Sequence, residues 1–475
     1  MTHDLATLRT VFAGRLLTQP PDMAAFLTDF RGKWTGRAIA VAQPDTPTDV
    51  AAVMRWCHAR RVPVVPQGGN TGLSGGSVPD ERGDALVLSL SRVNRVRAVD
   101  RINNTLMVEA GVTLLQAQDI AREAGRLFPL SLAAEGSCTI GGNLATNAGG
   151  VQVLRYGNAR DLCLGLEVVT PDGEIWNGLR GLRKDNTGYD LRDLFIGSEG
   201  TLGVITAAVL KLFPLPAAQV VAFVAVASPR AAVQLLQLGL ARLGAQLTAF
   251  ELIADTCVEL VLRHVPGARR PLADVSPWYV LLEVSDGQDE GHAAQAIESL
   301  LEAALEAGLV SDAAVSASLA QFDALWALRE NISEAQGAEG RTIKHDISLP
   351  ISRISDFIET TDAAIASRFP ALRQVTFGHL GDGNLHYNLS PGVGQPEAEF
   401  AAAEAPLNRL VHDAVAACDG SISAEHGLGV LRRDESARYK SPIELTLMRA
   451  IKHAIDPRAL MNPGKLLSST TRADA

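Results

Sequence analysis

The stretch VVPQGGNTGLSGG, residues 64–76, decides how the N-terminal part of this chain folds. Its β-prone start predicts a strand, and the five glycines that follow predict a loop. Because glycine has no Cβ, such a loop lets backbone N–H groups point inward and lets a pyrophosphate approach the backbone closely. It is neither a Walker loop nor a G-x-G-x-x-G motif that opens a helix. Taken alone, it leaves an ordinary turn and a phosphate-binding loop equally open.

Two further loops share this composition. Residues 135–150 read EGSCTIGGNLATNAGG, with two glycine pairs among small hydroxyl and amide side chains. Such side chains suit a ligand that lies against the backbone and makes many hydrogen bonds. Residues 197–205, GSEGTLGVI, enter a strand through closely spaced glycines. Three such loops in one segment are hard to explain as turns only, so they predict a ligand-binding domain.

The composition is that of a folded, multidomain protein. The chain has 475 residues, of which 47% are hydrophobic and 20% are charged, and about 150 residues per domain predicts roughly two to four domains. The formal net charge of -10 argues against nucleic acid as the main partner. An anionic substrate would therefore need a local positive field.

The cysteines and the apolar runs indicate where the protein acts. Five scattered cysteines without a C-x-x-C pair support neither a disulfide framework nor a thiolate zinc cluster, and predict a reducing compartment. The first residues lack the basic-then-apolar order of a signal peptide. The longest apolar run, residues 220–227, is far below the ~18 residues that span a bilayer. We expect a cytoplasmic protein without a transmembrane segment.

A domain boundary is expected at residues 213–216, FPLP, because two prolines interrupt any helix or central strand. Before it, short β-rich runs alternate with helical stretches. After it, three predicted strands are separated by helices, including one over residues 319–338. These patterns predict an α+β fold, with the second sheet covered on one face.

Histidines and a carboxylate form the sharpest chemical pattern. In residues 375–389, VTFGHLGDGNLHYNL, a turn composition separates His379 from His386, which predicts one imidazole on each arm of a hairpin. Downstream, Glu425 and His426 lie in a glycine-flanked loop. Two histidines and one carboxylate are a common ligand set for a catalytic divalent metal. The alternative, that these are polar loop residues, stays open at this point.

The three loops resemble those of the vanillyl-alcohol-oxidase-type flavoproteins, over roughly residues 39–214. The resemblance implies that FAD binds here, without a covalent bond, because Asn70 stands where covalent members often carry a histidine. It also implies that residues 441–475 return to the FAD domain. The cofactor contacts that it implies are Pro66, Gln67, Gly68, Gly69, Asn70, Thr71, Gly72, Leu73, Gly75, Gly76, Gly136, Ser137, Thr139, Gly141, Gly142, Asn143, Thr146, Asn147, Gly149, Gly150, Glu199, Gly200, Gly203, Ile205 and Asn462.

Within that family, H-L-G-D-G-N-x-H followed by A-E-H-G resembles the D-2-hydroxyacid dehydrogenases. The resemblance implies that His379, His386 and Glu425 bind a metal ion, usually zinc, although N and O ligands also admit Mn²⁺, Fe²⁺ and Co²⁺. It implies that His426 is the catalytic base. A divalent ion chelated by the substrate carboxylate and hydroxyl would lower the hydroxyl pKa while His426 takes the proton and C2 gives a hydride to flavin N5.

Four residues bear on substrate choice. A predicted helix places Arg329 and Ser333 on one face, and Lys344 follows in a predicted strand. Taken alone, Arg329 and Lys344 could be ordinary surface charges on a helix and an edge strand. The spacing of Arg329, Ser333 and Lys344, however, resembles that of the D-2-hydroxyglutarate enzymes, in which the matching residues contact the substrate carboxylates. Asn388 matches a further substrate contact of those enzymes. The resemblance therefore favours D-2-hydroxyglutarate, oxidised to 2-oxoglutarate. Ser333 where threonine is common, and His345 where tyrosine is familiar, leave selectivity for chain length open.

Other functions stay open. D-lactate, D-malate or glycolate would suit the same architecture, and a non-catalytic flavin-binding protein is a distant alternative. A reductase on this FAD domain would need NADPH, and the sequence has no nicotinamide-binding motif. Because no iron–sulfur cysteine pattern is present, we expect a separate electron carrier such as an electron-transfer flavoprotein. We also expect a homodimer.

The expected domain organisation combines these inferences. Residues 1–215 would form the FAD-binding domain. Residues 216–440 would form a substrate cap domain with an antiparallel sheet, helices and the metal site. Residues 441–475 would pack on the FAD domain.

Overall fold

The computed structural model of the chain describes residues 5–468. The chain divides into two compact units. Within the described residues, the first unit consists of the stretch that ends at Gly149, of Gly157–Pro214, and of the stretch that begins at Glu425. The second unit consists of Gly150–Tyr156 and Leu215–Ala424. The glycine loops, apart from Gly150, and the paired histidines therefore belong to different units.

The described residues form the strands β1 (Gly14–Leu17), β2 (Ala40–Pro44), β3 (Val64–Gln67), β4 (Leu86–Ser89), β5 (Val96–Asp100), β6 (Thr105–Glu109), β7 (Arg126–Leu127), β8 (Cys163–Val169), β9 (Ile175–Gly178), β10 (Val204–Lys211), β11 (Phe213–Pro214), β12 (Ala218–Val226), β13 (Leu247–Ala254), β14 (Trp278–Asp286), β15 (Asp312–Val315), β16 (Asp346–Ser348), β17 (Arg373–His379) and β18 (Asn384–Ser390). They form the helices α1 (Leu5–Arg9), α2 (Pro20–Leu27), α3 (Pro47–Arg60), α4 (Leu114–Glu123), α5 (Ile140–Thr146), α6 (Val153–Tyr156), α7 (Leu191–Phe195), α8 (Pro229–Leu243), α9 (Asp255–His264), α10 (Glu290–Glu306), α11 (Leu319–Glu330), α12 (Ile332–Ala338), α13 (Ile354–Arg368), α14 (Glu397–Ala417), α15 (Arg433–Tyr439) and α16 (Pro442–Ile455), with 3₁₀ turns at Gly244–Gln246 and Ile351–Arg353.

The first unit contains two larger sheets. One has the order β1-β2-β4-β3, in which β4 pairs in parallel with both β2 and β3. Helix α3 connects β2 to β3; the hydroxyl of Thr46 caps it by accepting from the N–H of Asp49, and Pro47 fits its first turn. The other sheet, β5-β6-β10-β8-β9, is antiparallel. The first glycine loop leaves β3 at its carboxyl end, the end at which parallel sheets usually bind ligands.

The C-terminal part of the chain completes the first sheet. The N–H of Val64 donates to the carbonyl of Leu460 at 2.8 Å, and the N–H of Asn462 donates to the carbonyl of Val64 at 2.8 Å. Met461 between them is fully buried in the core that also contains Val64. The return to the first unit begins at Glu425, earlier than the expected residue 441, because loops of the first unit bind the segment that follows Glu425.

The second unit is built on one antiparallel sheet with the order β15-β12-β14-β13-β17-β18-β16. Helices α9, α11 and α12 share a core with Val221, Phe223 and Ala225 of β12. The alternate residues of β12 are also buried, and α8 and α10 pack on the same strands. The prediction that this sheet is covered on one face is therefore wrong: an uninterrupted apolar strand is typical of burial on both faces.

The α+β prediction is confirmed, since helices accompany antiparallel sheets in both units. Among the described residues, no helix combines the length and the apolar character that crossing a membrane requires.

Candidate functional site

Glycine-loop residues of the first unit surround one cavity. The predicted cofactor residues that line it are Pro66, Gln67, Gly68, Gly69, Asn70, Thr71, Gly72, Gly76, Thr139, Gly141, Gly142, Asn143, Thr146, Glu199, Gly200, Gly203 and Ile205. The lining residues that sequence reasoning missed are Ser74, Ser77, Leu90, Ala110, Ala145, Ser198 and Val204, and the predicted residues outside the lining are Leu73, Gly75, Gly136, Ser137, Asn147, Gly149, Gly150 and Asn462.

The cavity has the features of an FAD site. At Gly69 a Cβ would overlap the carbonyl oxygen of Ser137, and at Gly68 it would overlap the hydroxyl oxygen of Thr139. The first two loops therefore pack backbone against backbone, which only glycine permits. We conclude that the residues present fit an extended ligand held by main-chain groups.

Side chains of the first loop mostly hold the loop itself. The amide of Gln67 donates to the carbonyls of Phe26 and Ser77, at 2.9 Å each. Asn70 has a left-handed backbone, with φ of 54°, and its amide donates to the carbonyl of Thr28 at 2.8 Å. Its side-chain oxygen accepts from the hydroxyl of Ser77 at 2.7 Å. These contacts stabilise the loop conformation before any ligand is considered.

Two cavity residues bind the segment that contains His426. The hydroxyl of Ser74 donates to the carbonyls of His426 and Gly427, at 3.1 and 3.2 Å. The carboxylate of Glu199 accepts from the N–H groups of Leu428 and Gly429, at 2.7 and 2.8 Å. Burial raises the pKa of Glu199 above its usual value, although these two N–H groups oppose the shift. His426 consequently lines the same cavity as the glycine loops.

Three of the eight predicted cofactor residues outside the lining have a different place or contact. The amide of Asn462 donates to the carbonyls of Gly76 and Glu199, at 2.9 and 2.7 Å, so it links two loops from behind the cavity. Gly149 leaves room for Glu425, whose Oε1 would lie 3.0 Å from a Cβ at that position. Gly150 belongs to the second unit.

The paired histidines lie in the second unit, on the arms of the β17–β18 hairpin, as predicted. Their rings are 5.6 Å apart between centroids and meet edge to face. Nδ1 of His379 lies 2.6 Å from Oε1 of Glu251, and Nδ1 of His386 lies 3.8 Å from Oδ1 of Asp346. Both rings therefore turn Nδ1 toward a carboxylate, an arrangement typical of histidines that bind metal through Nε2.

Sequence reasoning also missed Glu251, whose carboxylate contacts His379. It is fully buried on β13, directly opposite His379 of β17. Its Oε2 accepts from Nε of Arg329 at 2.6 Å. Burial raises the pKa of Glu251, but His379 and Arg329 outweigh this effect and lower it to about 2. No local motif marks Glu251, because its partners are 128 and 78 residues away in the chain.

The substrate residues are arranged differently from the prediction. Helix α11 ends at Glu330, and Asn331 separates it from α12. Arg329 is buried, whereas Ser333 is exposed, so the prediction that they share one helical face is wrong. At the break, both the backbone N–H and the side-chain amide of Asn331 donate to the carbonyl of Ala327, one turn back.

Lys344 and Asn388 lie near the end of the same sheet. Lys344 is half-buried and lies two residues before the first residue of β16. Asn388 is buried on β18, where its amide donates to Oε1 of Gln336 at 3.1 Å and its oxygen accepts from the N–H of His345 at 3.2 Å. Asn388 thus has a structural use that the resemblance did not imply.

Glu425 and His426 follow the second unit directly in the chain. The N–H of Ala424 donates to the carbonyl of Asp346 at 3.2 Å, and Asp346 is the register partner of His386. Glu425 is the next residue. The chain itself thus leads from the histidine hairpin to the proposed third ligand and base.

Two families match most of the chain. Residues 38–178 match the FAD binding domain family, and residues 215–466 match the C-terminal domain family of FAD linked oxidases. A D-2-hydroxyglutarate dehydrogenase of Xanthomonas citri pv. viticola is 42% identical over 465 residues, which cover 98% of this chain and 97% of that protein. A mitochondrial D-2-hydroxyglutarate dehydrogenase of Bos taurus is also 42% identical over 465 residues, covering 98% of this chain and 83% of that protein.

A solved structure shows the same fold. Crystalline p-cresol methylhydroxylase with substrate bound aligns with a TM-score of 0.75 over 97% of this chain and 96% of that chain. The two sequences are 17% identical, so this likeness concerns the fold alone.

Proposed function

The chain belongs to the FAD-linked oxidases, in the family of FAD-dependent D-2-hydroxyacid dehydrogenases, and we propose that it oxidises D-2-hydroxyglutarate to 2-oxoglutarate. One observation supports this proposal above the others: His426 lines the cavity formed by the three glycine loops. A base at the flavin cavity is what the oxidation of a secondary alcohol requires, because the hydroxyl must lose a proton as its carbon loses a hydride.

The oxidation would need a hydride acceptor, supplied by FAD held in the glycine loops, and a proton acceptor, supplied by His426. FAD, when bound without a covalent link, supplies the hydride acceptor at N5. His426 takes the proton of the C2 hydroxyl. Ser74 and Glu199 hold the backbone at His426 and just after it, so the position of the imidazole depends on the same loops that bind the cofactor.

We propose that His379, His386 and Glu425 hold a divalent metal ion. The two imidazoles are neighbours, and each turns Nδ1 toward a carboxylate. Zn²⁺ suits two imidazoles and one carboxylate, and Mn²⁺, Fe²⁺ or Co²⁺ would also accept this set. Such an ion, when bound, polarises the substrate hydroxyl and binds the neighbouring carboxylate.

The proposed function is tested by flavin reduction without oxygen. D-2-hydroxyglutarate is expected to bleach the visible absorbance of the oxidised flavin in the purified protein, whereas its L form is not. Removal of the metal by a chelator is expected to abolish bleaching, and added Zn²⁺ to restore it. A flavin that no hydroxy acid bleaches would indicate a non-catalytic flavin-binding protein, and full activity in metal-free protein would contradict the metal proposal.

Arg329 and Lys344 are proposed to bind the carboxylates of the substrate. Removal of one charge-assisted contact costs about 1.5–3 kcal/mol. Lys344→Ala is therefore expected to lower kcat/KM for D-2-hydroxyglutarate roughly 10- to 150-fold, mainly through KM. The effect on D-lactate, which has no second carboxylate, is expected to be small. Steady-state kinetics with both substrates measures the difference.

A neighbouring cation provides the control. Arg341 is exposed and lies three residues before Lys344, so Arg341→Ala removes a charge from the same stretch without entering the site. It is expected to leave both substrates unaffected. Equal losses on D-lactate and D-2-hydroxyglutarate in Lys344→Ala would favour the alternative, a D-lactate, D-malate or glycolate dehydrogenase.

The electrons are proposed to leave on a separate carrier of the electron-transfer flavoprotein kind. All five cysteines are free thiols, and four of them are buried, which does not suit an iron–sulfur cluster. Homodimer formation and a cytoplasmic location stay predictions; several relatives are named as mitochondrial.

A further inference from the structure

We propose that Glu251 is a positioning residue that joins metal binding to substrate binding, by holding His379 with one carboxylate oxygen and Arg329 with the other. This inference rests on the proposed function, because it assigns His379 to the metal and Arg329 to the substrate carboxylate. All three residues, and every contact that supports the inference, lie in the second unit.

The carboxylate of Glu251 bridges a proposed metal ligand, His379, and a proposed substrate-binding residue, Arg329. Oε1 lies 2.6 Å from Nδ1 of His379, and Oε2 lies 2.6 Å from Nε of Arg329. A carboxylate only accepts hydrogen bonds, so Nδ1 must carry a hydrogen. In the neutral ring the lone pair is then on Nε2. Glu251 thereby selects the ring nitrogen that can bind the ion.

The same carboxylate fixes the orientation of Arg329. Its contact uses Nε, which leaves the four N–H groups of the two terminal nitrogens to meet a substrate carboxylate. The guanidinium carbon also lies 4.8 Å from the centre of the Phe377 ring, and this ring lies 4.8 Å from that of His386. Arg329 is therefore held between Glu251 of β13 and Phe377 of β17, the strand that carries His379.

Register explains why this bridge is rigid. Glu251 and His379 face each other across neighbouring strands, as do Phe377 and His386. Glu251 is fully buried, so water cannot replace either contact without opening the sheet. A movement of Arg329 is consequently transmitted through Glu251 to His379, and a movement of His379 is transmitted to Arg329.

Glutamine at position 251 breaks the bridge with little change in volume. A neutral amide has one acceptor oxygen and one donor NH₂ group. It can accept from His379 or from Arg329, but it must turn a donor toward the other. Glu251→Gln is therefore expected to weaken Zn²⁺ binding about 10- to 100-fold and to raise KM for D-2-hydroxyglutarate about tenfold or more at saturating Zn²⁺, with a smaller change in kcat.

The neighbouring strand offers a matched control. Glu283 on β14 is also a buried carboxylate, but it accepts from the hydroxyl of Thr248 at 2.8 Å and from the indole N–H of Trp326 at 3.1 Å. Glu283→Gln replaces a buried carboxyl group of the same sheet without touching His379 or Arg329. It is expected to lower thermal stability and to leave Zn²⁺ affinity and KM unchanged.

The experiment measures Zn²⁺ dissociation constants by competition with a chelating dye, in flavin-loaded protein, together with KM and kcat. Wild-type Zn²⁺ affinity and KM in Glu251→Gln would contradict the inference. So would equal losses in Glu251→Gln and Glu283→Gln, because both would then be structural.

A second variant keeps the test valid if the glutamine variant does not fold. Glu251→Asp retains the charge but is one methylene too short to reach both partners. We expect Glu251→Asp to bind Zn²⁺ more weakly and to have a higher KM than the wild type, with both changes smaller than in Glu251→Gln. Wild-type values for both would overturn the inference. Failure of the proposed function is distinct, since wild-type protein would then neither bind Zn²⁺ nor have its flavin reduced by a hydroxy acid.

Discussion

Replacing His426 by asparagine is expected to lower kcat for hydroxy-acid oxidation about 10²- to 10⁴-fold, because an amide cannot accept the hydroxyl proton. The flavin content should not change. Ser74 and Glu199 bind the segment through backbone atoms of His426, Gly427, Leu428 and Gly429, and these contacts do not depend on the imidazole. Stopped-flow measurement of anaerobic flavin reduction, with FAD content measured alongside, separates loss of chemistry from loss of cofactor.

His58 provides the control for this substitution. It is a half-buried histidine of the same unit, on α3, and does not line the cavity. His58→Asn is expected to reduce flavin at the wild-type rate. If His426→Asn also did so, His426 would not be the base, and the proton would have to leave through another group.

Gly69→Ala is expected to weaken the affinity of the protein for FAD. A Cβ there overlaps the carbonyl oxygen of Ser137 and approaches the Cα of Cys138 to 3.1 Å, so the two loops must move apart. Overpacking of this kind costs about 1–3 kcal/mol, which corresponds to a 5- to 150-fold weaker affinity for FAD if it falls entirely on the bound state. Fluorescence titration of the apoprotein with FAD measures the affinity.

Gly136→Ala is the matched substitution in the neighbouring loop. A Cβ at Gly136 meets no atom within 4 Å, and Gly136 does not line the cavity. Its affinity for FAD is expected to equal that of the wild type. Undiminished FAD binding in Gly69→Ala would mean that the backbone contact between the loops is not needed for the cofactor.

The sequence predicts what depends on local chain geometry. The glycine loops could be predicted because a close approach of two backbones requires a residue without a Cβ. Each such glycine can be read directly from the sequence. The hairpin that carries His379 and His386 could be found for the same reason, since Gly381 and Gly383 mark its turn. Most of the cavity lining follows from these stretches.

The parts that could not be predicted depend on pairing between distant strands. Ser74 and His426 are 352 residues apart, and a serine in a loop has many other uses. Glu251 lies in an apolar strand, where a lone glutamate gives no indication of which residues it will face. The break at Asn331 was missed because the hydrophobic pattern continues across it, whereas the side-chain amide of Asn331 bonds locally.

The pairing of Val64 with Leu460 and Asn462 bears on the order in which the parts of the chain fold during synthesis. The second unit has all of its residues once Ala424 has been made. The sheet next to the first glycine loop lacks its last backbone partners until residue 462 is available. On a ribosome, where N-terminal domains usually fold first, this chain is expected to complete its middle part first and its cofactor-binding part last. FAD would then be bound only by chains that already include Asn462.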